Sequence, residues 1–186
     1  GVEVAENLRN LGINVTLVEA AEQLMNPFDG DMASFIHAEM RKNGINLMLN
    51  TMVEGFSETD HGIDVKIKNA SAIHTDMVVM AIGVLPETTL AKEAGLELGI
   101  KGSIVVNHRM ETSVPDIYAV GDAVQIRNFV TDTDTLLSLA GPANKQGRIA
   151  ADNICGGDSH YTGGQGSSVI KIFDMTAAAT GISEKT

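Results

Sequence analysis

The sequence predicts an α/β protein, and three observations carry that prediction. Residues 1–19 combine a helical pattern, a glycine, a strand-like pattern and an acidic residue, in that order. The same order of helix, glycine and strand recurs from residue 31, because residues 31–43 have a helical apolar pattern and precede Gly44 and a strand-like run. A short apolar run over residues 117–120 then ends at Gly121 and Asp122. Alternation of helical and strand-like periods is typical of βαβ units and a parallel sheet.

Composition places the chain among ordinary globular proteins and excludes several classes of partner. Its 186 residues allow one large domain or two small ones, and 44% are hydrophobic and 20% charged. A net charge of −11 argues against a nucleic-acid surface. The longest apolar run, residues 77–85, is too short to span a bilayer, and no signal-peptide pattern is visible. A single cysteine fits a reducing compartment, so we expect a cytoplasmic protein.

The first segment predicts a helix followed by a strand. Its apolar residues recur at helical spacing at Val2, Ala5, Leu8 and Leu11. Gly12 ends this pattern as a helix C-cap does, residues 13–18 alternate like a strand, and Glu19 follows directly.

This order corresponds to the second half of a dinucleotide-binding βαβ unit. There, a Gly-x-Gly-x-x-Gly turn precedes the helix and an acidic residue follows about 20 positions later. Gly1 would be the last glycine of the turn, and Glu3 is a further candidate cofactor-binding residue beside it. Glu19 has the position and chemistry to accept a hydrogen bond from a ribose 2′-hydroxyl. The four residues after Glu19 include no arginine, which favours NADH over NADPH. The alternative is a solvated glutamate that closes a strand.

The second helical pattern, residues 31–43, predicts an apolar stripe of Met32, Phe35, Ile36 and Met40. We interpret its methionines as core residues and His37 as a structural histidine, either hydrogen-bonded or exposed. Residues 53–57 and 63–68 predict two strands joined by a turn at residues 60–62. No histidine lies in a cluster with ligand spacing, so we assign no metal.

The remaining segments predict a second set of elements. Residues 76–86 form an apolar run closed by Gly83 and Pro86, which predicts a buried strand. We expect a short helix over residues 89–94 and a longer helical stretch over residues 136–154, with Pro142 in its first turn.

Residues 112–122 carry a specific resemblance. They read Thr-Ser-Val-Pro-Asp-Ile-Tyr-Ala-Val-Gly-Asp and resemble the second flavin-binding motif of the pyridine nucleotide-disulfide oxidoreductases. The resemblance implies that Asp122 holds the ribityl chain of FAD, with Ala119 and Gly121 at fixed positions of the motif. Gly121 lacks a Cβ and would let a ligand approach the backbone. The alternative is an ordinary buried strand that ends in a Gly-Asp turn.

Two further segments resemble parts of the same family. Residues 76–86 are similar to the segment that returns from the NAD-binding to the FAD-binding domain, which implies that Gly83 lies near the nicotinamide. Residues 139–148 imply a helix whose positive N-terminus faces the flavin pyrimidine edge, with Leu139 and Ala140 beside the isoalloxazine ring.

The resemblance implies a Rossmann-like, three-layer FAD/NAD(P)-binding fold, truncated at both ends. We expect an NAD-binding part over residues 1–86, part of the FAD-binding domain over 87–157, and a linker with the start of a dimerisation domain over 158–186. The family's redox cysteine would precede this chain, so no catalytic residue is assigned and Cys155 is interpreted as structural. We expect the parent protein to be a homodimer.

The resemblance is closest to the coenzyme A-disulfide reductase and NADH oxidase branch, on residues 139–148 and 173–179. It implies a parent flavoprotein that passes hydride from NADH to FAD and electrons onward to a disulfide, such as CoA disulfide, or a persulfide. One alternative is an NADH oxidase, with oxygen as acceptor, or another flavoprotein electron carrier. An alternative of another class is a folded fragment that is non-catalytic alone.

Overall fold

The computed structural model describes residues 1–185, which form two compact units. One unit comprises residues 1–82, 168–179 and 183–185, and the other comprises residues 83–167 and 180–182. Each unit has its own cluster of buried apolar side chains. The predicted division into NAD-binding, FAD-binding and dimerisation parts remains a prediction, and Thr186, the end of its third part, lies outside the described residues.

The first unit is organised around a parallel βαβ arrangement. It contains α1 (Val2–Asn10), β1 (Thr16–Val18), α2 (Gly30–Lys42) and β2 (Asn46–Met48). Strands β1 and β2 pair in parallel with Leu17 opposite Leu47, and α2 forms the connection between them. The predicted helix–strand–helix–strand order is confirmed. Glu19 follows β1 immediately, at the carboxyl end of a parallel strand, where ligands of α/β sheets bind.

The core face of α2 differs from the predicted stripe. Its buried residues are Ala33, Ile36, His37 and Met40. Met32 and Phe35 are 53% and 63% exposed, so the prediction was wrong for these two residues. Ala33 is 0% exposed, so the face of α2 that packs against the core includes this small residue and excludes Met32 and Phe35.

Two antiparallel sheets complete the first unit. The predicted hairpin is confirmed as β3 (Val53–Thr59) and β4 (Gly62–Ile67), and β5 (Ile73–Thr75) pairs with β4. Strands β8 (Ser168–Ile172) and β9 (Met175–Ala179) form a second hairpin. Ile172 is fully buried in the same core as α1 and α2.

Residues 76–86 do not form the predicted buried strand. Met80 and Ile82 are 59% and 85% exposed, and no described residue makes a backbone hydrogen bond with residues 77–85. A strand is stable only where its N–H and C=O groups pair with a neighbouring strand. The apolar composition of this segment predicted burial, but no described segment supplies the pairing partner.

The second unit contains short elements around a long helix. It comprises α3 (Thr89–Glu93), a 3₁₀ turn (Ile100–Gly102), β6 (Ile126–Asn128), β7 (Thr133–Thr135) and α4 (Ala140–Ile154). The core is formed by Met110, Val124, Ile126, Ala150 and Tyr161. The helices α3 and α4 were predicted, whereas the β6–β7 hairpin lies in a stretch for which the sequence predicted no strand. Among residues 1–185, no helix is both long and apolar enough to cross a membrane.

Residues 117–120 do not form an extended strand. They pair only with the neighbouring residues 110–112, through an isolated bridge. Tyr118 makes an isolated bridge with Glu111, and the Ala119 N–H donates to the Met110 carbonyl at 3.1 Å. Asp116, with φ of 64°, makes the turn between the two segments. Because the chain reverses so closely before residue 117, pairing is limited to residues 110–112.

His37 is a hydrogen-bonded structural histidine, as one of the two predicted alternatives stated. Its Nε2 accepts a hydrogen bond from the Leu24 N–H at 3.0 Å. Burial lowers the pKa of His37 below 6.5, and the nearby Arg41 charge lowers it further. Protonation would remove the acceptor that holds the Leu24 amide.

We therefore expect His37 to make the protein less stable in mild acid. Its pKa is depressed on folding, so its contribution is complete above pH 6.5 and is lost as pH falls from 6.5 through the folded-state pKa. The free energy of unfolding, measured by urea titration from about pH 8 to about pH 5.5, should decline less steeply for His37→Asn than for the unmodified protein.

His74 provides a control of opposite sign. Its hydrogen bond to Asp64, at 2.9 Å, raises its pKa above 6.5. The contribution of His74 to the free energy of unfolding is therefore present below pH 6.5 and is lost as pH rises through the folded-state pKa.

Parallel pH profiles of the free energy of unfolding for His37→Asn and the unmodified protein would contradict the role of His37.

Candidate functional site

The predicted FAD anchor is an ordered backbone turn followed by a free carboxylate. Gly121 has φ of +88°, and its N–H donates to the Gln146 Oε1 at 2.7 Å. Asp122 is exposed, and its carboxylate has no hydrogen-bond or ion-pair partner among residues 1–185. The free carboxylate of Asp122 can accept hydrogen bonds from hydroxyl groups of a ligand. Gly121, which has no side chain, leaves room for that ligand beside the backbone.

Gln146 holds this turn from the buried face of α4. It is 1% exposed and lies beside Tyr161. Burial raises the pKa of the Tyr161 phenol, and the neighbouring Gln146 side chain opposes that rise. The Tyr161 N–H donates to the His108 carbonyl at 2.7 Å. Gln146 therefore holds the Gly121 turn from a buried position beside the Tyr161 side chain.

The start of α4 offers unsatisfied donors. Leu139 is its N-cap, with φ of −134° and no side-chain cap, and Ala140 is its first residue. Pro142 has no N–H, and the first N–H bonded within this helix is that of Ala143, to the Leu139 carbonyl at 3.2 Å. The N–H groups of Ala140 and Gly141 thus remain available, as is usual at a helix N-terminus, where the helix dipole favours negative charge.

The first unit holds three of the predicted residues. Gly1 is the N-cap of α1, and a Cβ placed on it would lie 3.4 Å from the Ala81 Cβ, which is tight contact. Glu3 is exposed in the first turn of α1. One carboxylate oxygen of Glu19 accepts the Ala21 N–H at 2.9 Å, which orients the side chain and leaves the other oxygen for a ligand.

The second unit holds the other predicted residues. Ala119 packs partly buried against its core. Gly83 is exposed with φ of +92°, and no heavy atom lies within 4 Å of a Cβ built on it. The structure joins the Gly121–Asp122 turn to α4, the helix of Leu139 and Ala140. The assignment of all nine residues as cofactor-binding remains a prediction.

Cysteine, histidine and acidic side chains form no additional reactive or metal-binding cluster within residues 1–185. Cys155 is exposed at the C-cap of α4, and its N–H donates to the Ala151 carbonyl at 3.1 Å. Within residues 1–185, no group of three or more His, Cys, Asp or Glu side chains is arranged to hold a metal ion.

Gln146 is the site residue that sequence reasoning missed. Its signal is nevertheless present, because Gln146, Ala150 and Asn153 follow helical spacing and share the buried face of α4. An amide on the apolar face of a helix must find buried partners. The position therefore indicates a hydrogen-bonding role, whereas its specific partner, Gly121, requires the structure.

A family model described as pyridine nucleotide-disulphide oxidoreductase matches residues 1–147. The chain belongs to this family. The resemblance seen in residues 112–122 and 139–148 is thereby confirmed.

Three similar proteins illustrate the family. The NADH oxidase of Methanocaldococcus jannaschii is 37% identical over 98% of this chain and 40% of its own length. The coenzyme A disulfide reductase of Staphylococcus aureus is 31% identical over 97% of this chain and 41% of its own length. The crystal structure of reduced Bacillus anthracis CoADR-RHD is 50% identical, with a TM-score of 0.94 over 99% of this chain and 33% of that chain.

These similarities confirm the predicted fold class, an α/β fold of FAD/NAD(P)-binding oxidoreductases. The chain spans about two fifths of the length of the two curated relatives, since it covers 40% and 41% of them.

The conformation of Gly121 leads to a testable difference between two glycines. Gly121→Ala should destabilise the protein by about 1–2 kcal/mol, because its φ of +88° is unfavourable for a residue with a Cβ. Urea unfolding would measure the change.

Gly147→Ala is the matched control, because Gly147 lies inside α4 with open space around the added Cβ. It should stabilise the protein by about 0.5–1 kcal/mol. Equal effects of the two substitutions would show that backbone strain at Gly121 is unimportant.

Proposed function

We propose that this chain is part of a flavoprotein that takes hydride from NADH onto FAD and passes the electrons to a disulfide such as CoA disulfide. The free Asp122 carboxylate after Gly121 is the observation that carries the proposal. Hydride transfer itself belongs to the cofactors, so the work of the chain is to bind and orient them.

The FAD site is supported by the chemistry of its donors and acceptors. Asp122 accepts from the ribityl hydroxyls, and Gly121 permits the approach of the ligand to the backbone. The free N–H groups at the start of α4, beside Leu139 and Ala140, suit the electron-rich pyrimidine edge of a flavin. Ala119 keeps the preceding segment against the core.

The NADH site is supported by the βαβ arrangement of the first unit. Glu19 follows β1 and keeps one oxygen for the adenosine ribose, where a 2′-phosphate would meet a like charge. Gly1 is the N-cap of α1, and Glu3 lies in the first turn of the same helix. We assign Gly83, whose surroundings are open, to the approach of the nicotinamide.

The electron acceptor has two candidates. CoA disulfide is favoured by the relative from Staphylococcus aureus, a coenzyme A disulfide reductase. Oxygen is favoured by the relative from Methanocaldococcus jannaschii, an NADH oxidase. We further propose that the parent protein is a cytoplasmic homodimer without nucleic-acid or membrane partners. The net charge of −11 of this chain is consistent with the lack of a nucleic-acid partner.

Steady-state kinetics of the full-length protein would test the function. We expect anaerobic oxidation of NADH that depends on added CoA disulfide and is slower with NADPH. The chain of residues 1–186 alone should show no such turnover, because this chain includes no residue assigned to catalysis. NADH oxidation that requires oxygen and ignores CoA disulfide would support the oxidase, and no NADH oxidation by flavin-loaded protein would exclude both.

The FAD anchor has its own test in the full-length protein. Asp122→Ala should raise the FAD dissociation constant about tenfold to hundredfold, because charge-assisted hydrogen bonds to the ribityl chain are lost. Flavin fluorescence would measure the constant.

Glu93→Ala serves as the control, since it removes an exposed carboxylate of the same unit at the end of α3. Full flavin retention by Asp122→Ala, or an equal loss in both variants, would refute the anchor assignment.

A further inference from the structure

We propose that Gln146 is a positioning residue for FAD, because its buried carboxamide fixes the Gly121 backbone and hence the direction of the Asp122 carboxylate. This inference rests on the proposed function, since it concerns the same FAD site. It adds Gln146 to that site as a residue that bonds to the backbone of the Gly121–Asp122 turn from its buried side.

The Gly121 turn depends on this one short hydrogen bond. No heavy atom lies within 4 Å of a Cβ built on Gly121, so side-chain packing does not restrain the turn. The carbonyl of Gly121 accepts only a long bond, from the Val124 N–H at 3.4 Å, whereas its N–H meets Gln146 at 2.7 Å. Glycine has the widest backbone freedom of any residue, and ordering it before binding reduces the entropy lost when a ligand binds.

Gln146 can act as a fixed support because its side chain is buried and its amide oxygen is bonded. The side chain is 1% exposed, and its oxygen accepts from the Gly121 N–H at 2.7 Å. Rotation of the amide would remove the acceptor from the Gly121 N–H, and an unpaired buried polar group is costly.

Gln146 also connects the Gly121–Asp122 turn to α4, the helix whose N-terminus begins at Ala140. Gln146 lies six residues after Ala140, which corresponds to about 9 Å along the helix axis. Its bond to Gly121 therefore sets the distance between the Asp122 carboxylate and the helix N-terminus. These are the two features that would contact different parts of one flavin, the ribityl chain and the ring.

Asn153 supplies a matched control on the same helix face. It is also a buried amide, 5% exposed, and it bonds to the Arg109 carbonyl and to the backbone of Ser159. It makes no hydrogen bond to Gly121. Asn153→Leu and Gln146→Met each remove one buried amide from α4, but only the second releases the anchor.

The experiment uses the full-length flavoprotein and measures the FAD dissociation constant, the absorption spectrum of bound flavin and the unfolding temperature of the apoprotein. We expect Gln146→Met to raise the dissociation constant about tenfold, as for the loss of one buried hydrogen bond, and to shift the flavin bands. Gln146→Glu should restore binding, because a carboxylate oxygen at the same position can accept from the Gly121 N–H. Asn153→Leu should lower the unfolding temperature alone.

The outcomes separate this inference from the proposed function. An unchanged FAD dissociation constant in Gln146→Met, or an equal rise in Asn153→Leu, would overturn the positioning role. If Asp122→Ala also leaves the constant unchanged, the FAD site itself fails. Should Gln146→Met not fold, Gln146→Asn decides the question, because the shorter side chain withdraws the acceptor from the Gly121 N–H. A rise of about two- to fivefold supports the inference, and no rise contradicts it.

Discussion

The contact between the Gly121 N–H and the buried Gln146 carboxamide fixes the geometry of the second unit. Strands there are short, with three residues each in β6 and β7, so sheet ladders contribute few constraints. Side-chain amides of α4 perform that task instead. Gln146 holds the anchor turn, and Asn153 holds the loop of Arg109 and the chain that follows the helix. Buried, hydrogen-bonded amides of this kind specify a single arrangement of irregular segments.

The electrostatic surroundings distinguish Asp122 from Asp158 and Asp132 of the same unit. Asp158 pairs with Arg109 and His160, and Asp132 pairs with Arg127. The His160 hydrogen bond lowers the pKa of the Asp158 carboxyl. Such carboxylates are already satisfied within the fold. Asp122 keeps its hydrogen-bonding capacity for a ligand, which is the condition that a binding carboxylate must meet.

The sequence predicted the elements whose signal is local. The β1–α2–β2 order followed from hydrophobic period and terminal glycines, and the β3–β4 hairpin followed from its turn residues. The failures arose where pairing decides the outcome. Residues 77–85 have the composition of a core strand but lack a described pairing partner, and β6–β7 is a hairpin without a strong apolar alternation. The α2 stripe was misjudged because Ala33, a small residue, carries the buried face.

The site was predictable to the extent that it is a contiguous motif. Residues 112–122 and 139–148 identified the family from sequence. The position of Glu19 directly after a strand was also predicted, whereas its role in binding a cofactor remains a prediction. The relation between these segments was not accessible in the same way, because a hydrogen bond between Gly121 and Gln146 joins residues 25 positions apart. Periodicity indicates that Gln146 faces inward, but it carries no information on which backbone group lies opposite.

The unpaired segment at residues 77–85 has a practical consequence for the isolated chain. It contains no charged residue, it is rich in valine and methionine, and within residues 1–185 it makes no backbone–backbone hydrogen bond. Such a stretch can add a strand from another molecule, which is how exposed edges nucleate aggregates. Asp76 and Glu87 flank it, together with Pro86, in the positions where gatekeeper residues limit that process. Colloidal behaviour, as well as cofactor chemistry, therefore depends on what covers this segment.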